Sequence, residues 1–128
     1  MNGFYIYMLL TSLLIPVIML VFGWIFRRQA PKKINVWYGY RSARSMKNED
    51  TWVFAHQHIG RTWMLVGAVL LVISVIPMIA VYGKDDDTVS VVSLVLLFVQ
   101  MLPMIMSLIP TERALKRTFD ENGIRKYK

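Results

Sequence analysis

The sequence predicts an all-α membrane protein with three transmembrane helices. Hydrophobic residues make up 55% of the 128 residues and charged residues only 18%, against about 45–50% and about 25% in average soluble domains. The apolar stretches 4–26, 62–82 and 89–109 contain no Asp, Glu, Lys, Arg or His. Each is long enough for the ~20 residues that cross a bilayer. A soluble globule of this size has too much surface to hide so many apolar side chains, and that class is excluded.

The first predicted span, residues 4–26, is interpreted as a membrane helix and not as a cleaved signal peptide. No Lys or Arg precedes the apolar run, and no small-residue cleavage site follows it. The run ends at Phe26-Arg27-Arg28, which is typical of a segment that stops transfer across the membrane.

The distribution of Lys and Arg predicts the orientation of a single membrane domain, 1–128. The loop 27–61 holds eight Lys or Arg and two acids, and the tail 110–128 holds six and three. The link 83–88 holds one Lys and three Asp. Because basic loops stay in the cytoplasm, the N-terminus and the link are predicted outside, and the loop and the C-terminal tail inside. The net charge of +7 is then expected to contact anionic lipid headgroups and not nucleic acid.

Each predicted span contains one proline, namely Pro16, Pro77 and Pro103. A kink is expected at each, where a neighbouring helix or a hydroxyl group has to satisfy the freed carbonyl. Gln100 is the only amide side chain within the spans. It indicates either an interhelical hydrogen bond or part of a ligand or ion path. With no charged residue in the spans, a proton relay or ion-coupled transport is not predicted.

The loop 27–61 concentrates the unusual residues, because aromatic and arginine side chains lie close together in it. These are Trp37, Tyr38, Tyr40, Arg41 and Arg44. They indicate either side chains at the headgroup level or a stacked Arg–aromatic cluster. Gly39, between aromatic neighbours, is predicted to adopt a positive φ or to allow a close approach.

A helix is predicted to begin after Asn48 and to run unbroken into the second span. Asn48 is a good capping residue, and Glu49 and Asp50 complement the helix dipole. An apolar stripe with helical spacing follows. It comprises Trp52, Ala55, Ile59 and Trp63.

His56 and His58 are separated by one residue on this predicted helix. Positions two apart point about 200° away from each other, so the two rings do not bind one metal ion. The chain has no cysteine to complete a site. A hydrogen bond from His56 to the preceding loop is therefore predicted.

The sequence also predicts the structure of the segments before and after the third span. Asp85, Asp86 and Asp87 are predicted to form a solvated outer turn, because they lack the spacing and glycine of a calcium loop. The segment 111–122 is predicted to be an amphipathic helix with Ala114, Leu115 and Phe119 on one face, its basic face lying on the inner leaflet. Gly123 is expected to terminate it, and Ile124 is expected to pack back on it.

No catalytic motif is recognisable in the sequence. It has no phosphate-binding loop, nucleophile elbow, paired catalytic carboxylates or zinc motif. The expectation is a protein that is not an enzyme and that has neither a metal nor another cofactor.

The order of residues in the loop resembles the SdpI family of bacterial membrane proteins. The resemblance rests on Asn35, Tyr38-Gly39-Tyr40-Arg41, Ser45-Met46, Trp52, Ala55 and Gly60-Arg61. His56 stands where the family commonly has Asn. The resemblance implies a multi-pass protein of the bacterial cytoplasmic membrane that gives immunity against a secreted peptide toxin. It also implies signalling, by holding a cytoplasmic transcriptional repressor at the membrane.

Two interpretations of the signature residues stay open, a structural one and a direct partner or ligand site. The residues concerned are Asn35, Tyr38, Gly39, Tyr40, Arg41, Ser45, Met46, Trp52, Ala55 and His56. Two other functions also stay open. The loop is compatible with a membrane enzyme or lipid-binding protein in which Arg41 and Arg44 hold a lipid phosphate. Gln100 is compatible with a homo-oligomeric pore.

Overall fold

The structure, a computed structural model, describes residues 3–34 and 39–126 and contains four helices in that part of the chain. These are α1 (Gly3–Arg28), α2 (Glu49–Ala80), α3 (Asp86–Met106) and α4 (Leu108–Thr118). Three helical segments are long and apolar enough to cross a membrane: α1, α2, and α3 taken together with α4. The predicted all-α class with three such helices is confirmed, and no strand forms within the described residues.

The start of α2 follows from its capping residues. The side-chain oxygen of Asn48 accepts from the Thr51 N–H at 2.9 Å, and the Thr51 hydroxyl oxygen accepts from the Asn48 N–H at 3.1 Å. This reciprocal capping box satisfies two N–H groups that a helix N-terminus leaves unpaired. The helix then runs without a break to Ala80, as predicted.

The packing of α1 against α2 depends on glycines. A Cβ atom on Gly60 would lie 2.4 Å from the Arg27 backbone nitrogen and 2.7 Å from the Gly23 carbonyl oxygen. One on Gly23 would lie 2.9 Å from the Gly60 carbonyl oxygen. Small residues let two membrane helices approach to backbone contact, where dispersion forces stabilise the pair.

Gln100 joins all three long helices in the interior of the bundle. Its Nε2 donates to the Ser12 carbonyl oxygen on α1 at 2.7 Å and to the Ser74 hydroxyl oxygen on α2 at 2.5 Å. Pro16 has no N–H, so the Ser12 carbonyl has lost its usual helical partner. The predicted interhelical hydrogen bond is confirmed, and it satisfies the carbonyl that the proline frees.

We expect Gln100→Leu to lower the free energy of unfolding by about 1 kcal/mol, the order measured for hydrogen bonds between membrane helices. The loss is limited because Gln100 Oε1 is buried without a partner, and leucine removes that unsatisfied atom. Unfolding of the purified chain by increasing SDS fraction in a mild detergent measures the effect. Met101→Leu, at a neighbouring position that is 41% exposed, serves as the control. Equal stability of the two variants would show that the Gln100 bonds contribute nothing.

The connection between α2 and α3 is shorter than predicted. Helix α3 begins at Asp86, so only Asp85 of the acidic run precedes it, and Asp86 and Asp87 occupy its first turn. Carboxylates are favourable there because the N-terminal end of a helix carries a partial positive charge. Gly83 has a φ of 83°, and all three Asp side chains are exposed.

The helix in the C-terminal tail begins and ends earlier than predicted. Helix α4 spans Leu108–Thr118 and not the predicted 111–122. It starts directly after Ser107, whose hydroxyl accepts from Trp63 Nε1 at 2.8 Å and donates to the Met104 carbonyl oxygen at 2.5 Å. Ser107 itself keeps helical φ and ψ angles of −65° and −17°, so the break between α3 and α4 is limited to this one residue.

After α4, the predicted packing of Ile124 against the helix is wrong. Phe119 is already extended, and Gly123 has a φ of 80° in the turn that follows. Ile124, predicted to pack back, is 62% exposed. Arg125 takes its place, because its guanidinium lies 5.0 Å from the centre of the Phe119 ring and bonds to Asp50 at 2.8 Å.

Candidate functional site

The loop before α2 and the tail after α3 meet at one end of the helical bundle. We call this unit the cap: residues 31–34 and 39–48, the first turns of α2 (49–61), and residues 107–126. The Lys47 ammonium group donates to the Glu121 carbonyl, and Asn48 Nδ2 donates to the Gly123 carbonyl at 2.7 Å. The α2–α3 link lies at the other end of α2. The two most basic segments therefore share one end of the molecule, and the Asp residues of the link lie at the opposite end.

His56 is at the centre of the cap and is fully buried. Its Nε2 accepts from the Tyr40 N–H at 2.9 Å, and its Nδ1 donates to the Trp52 carbonyl oxygen at 2.8 Å. Because a ring nitrogen that accepts carries no proton, these partners assign a neutral imidazole with its proton on Nδ1. The predicted bond from His56 to the preceding loop is confirmed.

The backbone at Gly39 allows the loop to approach His56. Gly39 has a φ of 97°, as predicted, which costs other residues about 1 kcal/mol or more. A Cβ atom there would also lie 2.6 Å from His56 Nε2. Trp52 fixes the start of the same loop, because its Nε1 donates to the Pro31 carbonyl oxygen at 2.9 Å.

Tyr40 connects the loop to α4. Its ring is buried, and its hydroxyl donates to Glu112 Oε1 at 2.5 Å. Burial raises the pKa of the Tyr40 hydroxyl far above its ordinary value, and the hydrogen bond to Glu112 and the negative charge of that carboxylate raise it further. Tyr40 therefore stays a protonated donor. The Arg44 guanidinium lies 4.0 Å from the other oxygen of Glu112.

The remaining signature residues close the loop on the start of α2. The Ser45 hydroxyl donates to the Ser42 carbonyl oxygen at 2.8 Å, and the Thr51 hydroxyl donates to the Ser45 carbonyl oxygen at 2.9 Å. Ala55 is fully buried in an apolar cluster of the cap. Met46 is half-buried and Arg41 is exposed.

The structure thus brings most of the predicted site residues together. The assembled residues are Gly39, Tyr40, Ser45, Trp52, Ala55 and His56. Asn35 and Tyr38 lie outside the described residues. Sequence reasoning missed Glu112, which accepts the Tyr40 bond. A signal for it exists, because Glu112 is the only acid in the otherwise basic helix α4.

The two histidines have different partners. His58 Nδ1 lies 2.8 Å from the Thr111 hydroxyl oxygen on α4, on a different side of α2 from the bonds of His56. Over residues 3–34 and 39–126, no group of three or more His, Cys, Asp or Glu side chains is placed to hold a metal ion.

A cavity of about 640 Å³ lies beside the cap, within the ~300–1,000 Å³ typical of ligand sites. Its walls are apolar side chains of α1, α2 and α4, among them Ile18, Phe22 and Trp63. Its polar end is formed by Tyr40, Arg41, Ser42 and Glu112. The cavity therefore combines a long apolar wall with one charged and hydrogen-bonding end.

Comparison with known families identifies the chain. The sequence model of the SdpI/YfhL protein family matches residues 32–111, which is well over half of the chain. The chain belongs to the SdpI/YfhL family. The SdpI/YfhL match covers the signature loop, α2 and α3, and it ends one residue before Glu112. No curated protein and no solved structure gives a significant match to this SdpI/YfhL member.

Proposed function

We propose that this SdpI/YfhL-family protein protects a bacterial cytoplasmic membrane against a membrane-active peptide toxin. The observation that carries the proposal is the family match over residues 32–111, because the resemblance implies immunity. The proposed orientation has the cap in the cytoplasm and the α2–α3 link outside. The basic residues of the cap and Asp85, Asp86 and Asp87 of the link support it through the positive-inside rule.

The contacts in the cap favour a mode of action that is not catalytic. The polar atoms of His56 bond to backbone groups, and the Tyr40 hydroxyl bonds to Glu112. Such groups hold the fold together and are not poised for proton transfer to a substrate. A peptide acting within the bilayer would instead meet outward apolar side chains of α1 such as Leu10 and Leu14, which are 64% and 54% exposed.

The exposed basic side chains of α4 favour a second role, the retention of a cytoplasmic repressor. Arg113, Lys116 and Arg117 are exposed on the cap. An acidic surface of a repressor would complement them. Affinity capture of the tagged chain from its native host, followed by identification of captured DNA-binding proteins, tests this role. Capture that persists when all three residues are changed to glutamine would argue against the α4 surface.

Expression of the chain in a peptide-sensitive bacterium is expected to raise survival against at least one membrane-active peptide. The panel includes peptides secreted by the species that carries the gene, and the readouts are colony counts and membrane potential. Unchanged survival and unchanged depolarisation across the whole panel would refute the proposal.

A pair of tryptophan variants tests whether protection against the peptide depends on the structure of the cap. Trp52→Phe removes the bond to the Pro31 carbonyl oxygen within a buried site, and a lost hydrogen bond of this kind costs about 1 kcal/mol. We expect reduced protection at equal protein level in the membrane. Trp24→Phe, at a side chain that is 47% exposed, is expected to protect like the wild type.

A further inference from the structure

We infer that the cavity beside the cap binds one anionic phospholipid of the surrounding leaflet. The phosphodiester group would lie at the Arg41 end, and an acyl chain would lie along the wall formed by α1. This inference is independent of toxin protection and stands or fails separately from it.

The shape of the cavity supports an occupant that comes from the bilayer. Ile18 and Phe22 of α1 line the cavity, yet each is 41% exposed, and Leu108 of α4, which also lines it, is 39% exposed. These side chains therefore belong both to the cavity and to the outer surface of the bundle. In a membrane that outer surface contacts acyl chains, so a chain can enter sideways without crossing water.

The charges at the polar end favour a phosphate group. Arg41 lines this end, and a guanidinium group matches two phosphate oxygens with parallel N–H donors. Glu112 also lines it, but Glu112 accepts from the Tyr40 hydroxyl and lies 4.0 Å from Arg44. Arg44 does not line the cavity, but its position beside Glu112 offsets that carboxylate, so Arg41, Arg44 and Glu112 together carry a net charge of about +1. This charge attracts an anionic phosphate and disfavours the additional ammonium group of a zwitterionic headgroup.

Native mass spectrometry of the full chain in a mild detergent tests the inference, with phosphatidylglycerol and phosphatidylethanolamine as the probes. The wild type is expected to retain one phosphatidylglycerol molecule and to bind phosphatidylethanolamine more weakly. Arg41→Gln is expected to weaken phosphatidylglycerol binding about tenfold, because an uncharged amide cannot replace the charge-assisted hydrogen bonds from guanidinium to phosphate. Arg28→Gln makes the same change at an exposed residue at the end of α1 that does not line the cavity, and it is expected to bind like the wild type.

A second pair of variants tests the acyl-chain wall. Ile18→Trp fills the cavity, whereas Val17→Trp adds the same bulk at a neighbouring side chain that is 43% exposed and does not line it. We expect Ile18→Trp to abolish retention and Val17→Trp to leave it unchanged, with both variants retaining the circular dichroism spectrum of the wild type. Millimolar inorganic phosphate is expected not to displace the lipid, because it lacks the acyl chain.

Three results would overturn the inference. The first is equal lipid retention by Arg41→Gln and Arg28→Gln, and the second is equal retention by Ile18→Trp and Val17→Trp. The third is exclusive recovery of a peptide from the cavity with no lipid bound at any concentration tested.

Discussion

Gly60→Ala is expected to destabilise the helical bundle by about 1–3 kcal/mol, the usual cost of forcing an extra methyl group into a packed interface. The new Cβ would lie 2.4 Å from the Arg27 backbone nitrogen and 2.7 Å from the Gly23 carbonyl oxygen. Both neighbours are backbone atoms, so α1 and α2 have to move apart. The midpoint of SDS-induced unfolding in detergent measures the loss.

Gly3→Ala is the matched control for this prediction. A Cβ atom on Gly3 has no neighbour within 4 Å, although both glycines lie in helices. The same chemical change is therefore expected to leave the unfolding midpoint almost unchanged. If Gly60→Ala unfolds at the same SDS fraction as Gly3→Ala, then α1 and α2 do not make this close backbone contact.

His56→Leu is expected to loosen the cap and to lower the free energy of unfolding by about 1–3 kcal/mol, the cost of a buried polar group left without its partner. Leucine has no acceptor for the Tyr40 N–H, which His56 Nε2 now accepts at 2.9 Å. The loop around Arg41 and Arg44 should then open more often. Limited proteolysis with trypsin measures the opening as faster cleavage after these two arginines.

Two further variants separate the hydrogen bond from general disruption of α2. His56→Gln keeps a side-chain acceptor and is expected to recover part of the protection from trypsin. Gln57→Leu changes an exposed neighbour and is expected to be cleaved at the rate of the wild type. Cleavage of His56→Leu at that same rate would show that His56 does not hold the loop.

The three long helices α1, α2 and α3 were predictable because their signals are local. An apolar run without charges dominates any competing feature over 20 residues, and α1 and α3 were expected close to their observed bounds. The start of α2 was equally predictable, since Asn48 and the two acids after it are side chains that a helix N-terminus favours. The predicted positive φ of Gly39 and the bond of His56 to the loop also follow from short-range patterns.

The break between α3 and α4 was not predictable, because apolar residues continue through it. Ser107 is followed by Leu108 and Ile109, which read as part of the same span. At the break, the Ser107 hydroxyl accepts from the indole N–H of Trp63, 44 residues earlier. Hydropathy along the chain contains no information about a partner on another helix.

The contacts within the site were also not predictable from local sequence patterns. Tyr40 was a predicted site residue, but its partner Glu112 lies 72 residues later and beyond the end of the family match. The cavity was equally invisible, since it forms only when α1, the loop, α2 and α4 are assembled. Sequence patterns identified the residues of the loop, and only the tertiary structure identifies what they contact.

The measurement that tests the assembled cap most directly is thiol cross-linking in native membranes. The chain has no cysteine, so introduced pairs report without interference. Lys47→Cys with Glu121→Cys joins loop and tail at a contact of the cap, and Lys47→Cys with Lys84→Cys pairs the loop with the opposite end of the bundle. A short bifunctional thiol reagent is expected to cross-link the first pair within one chain and not the second. No cross-link in the first pair, or equal cross-linking in both, would contradict a cap built from the loop and the tail.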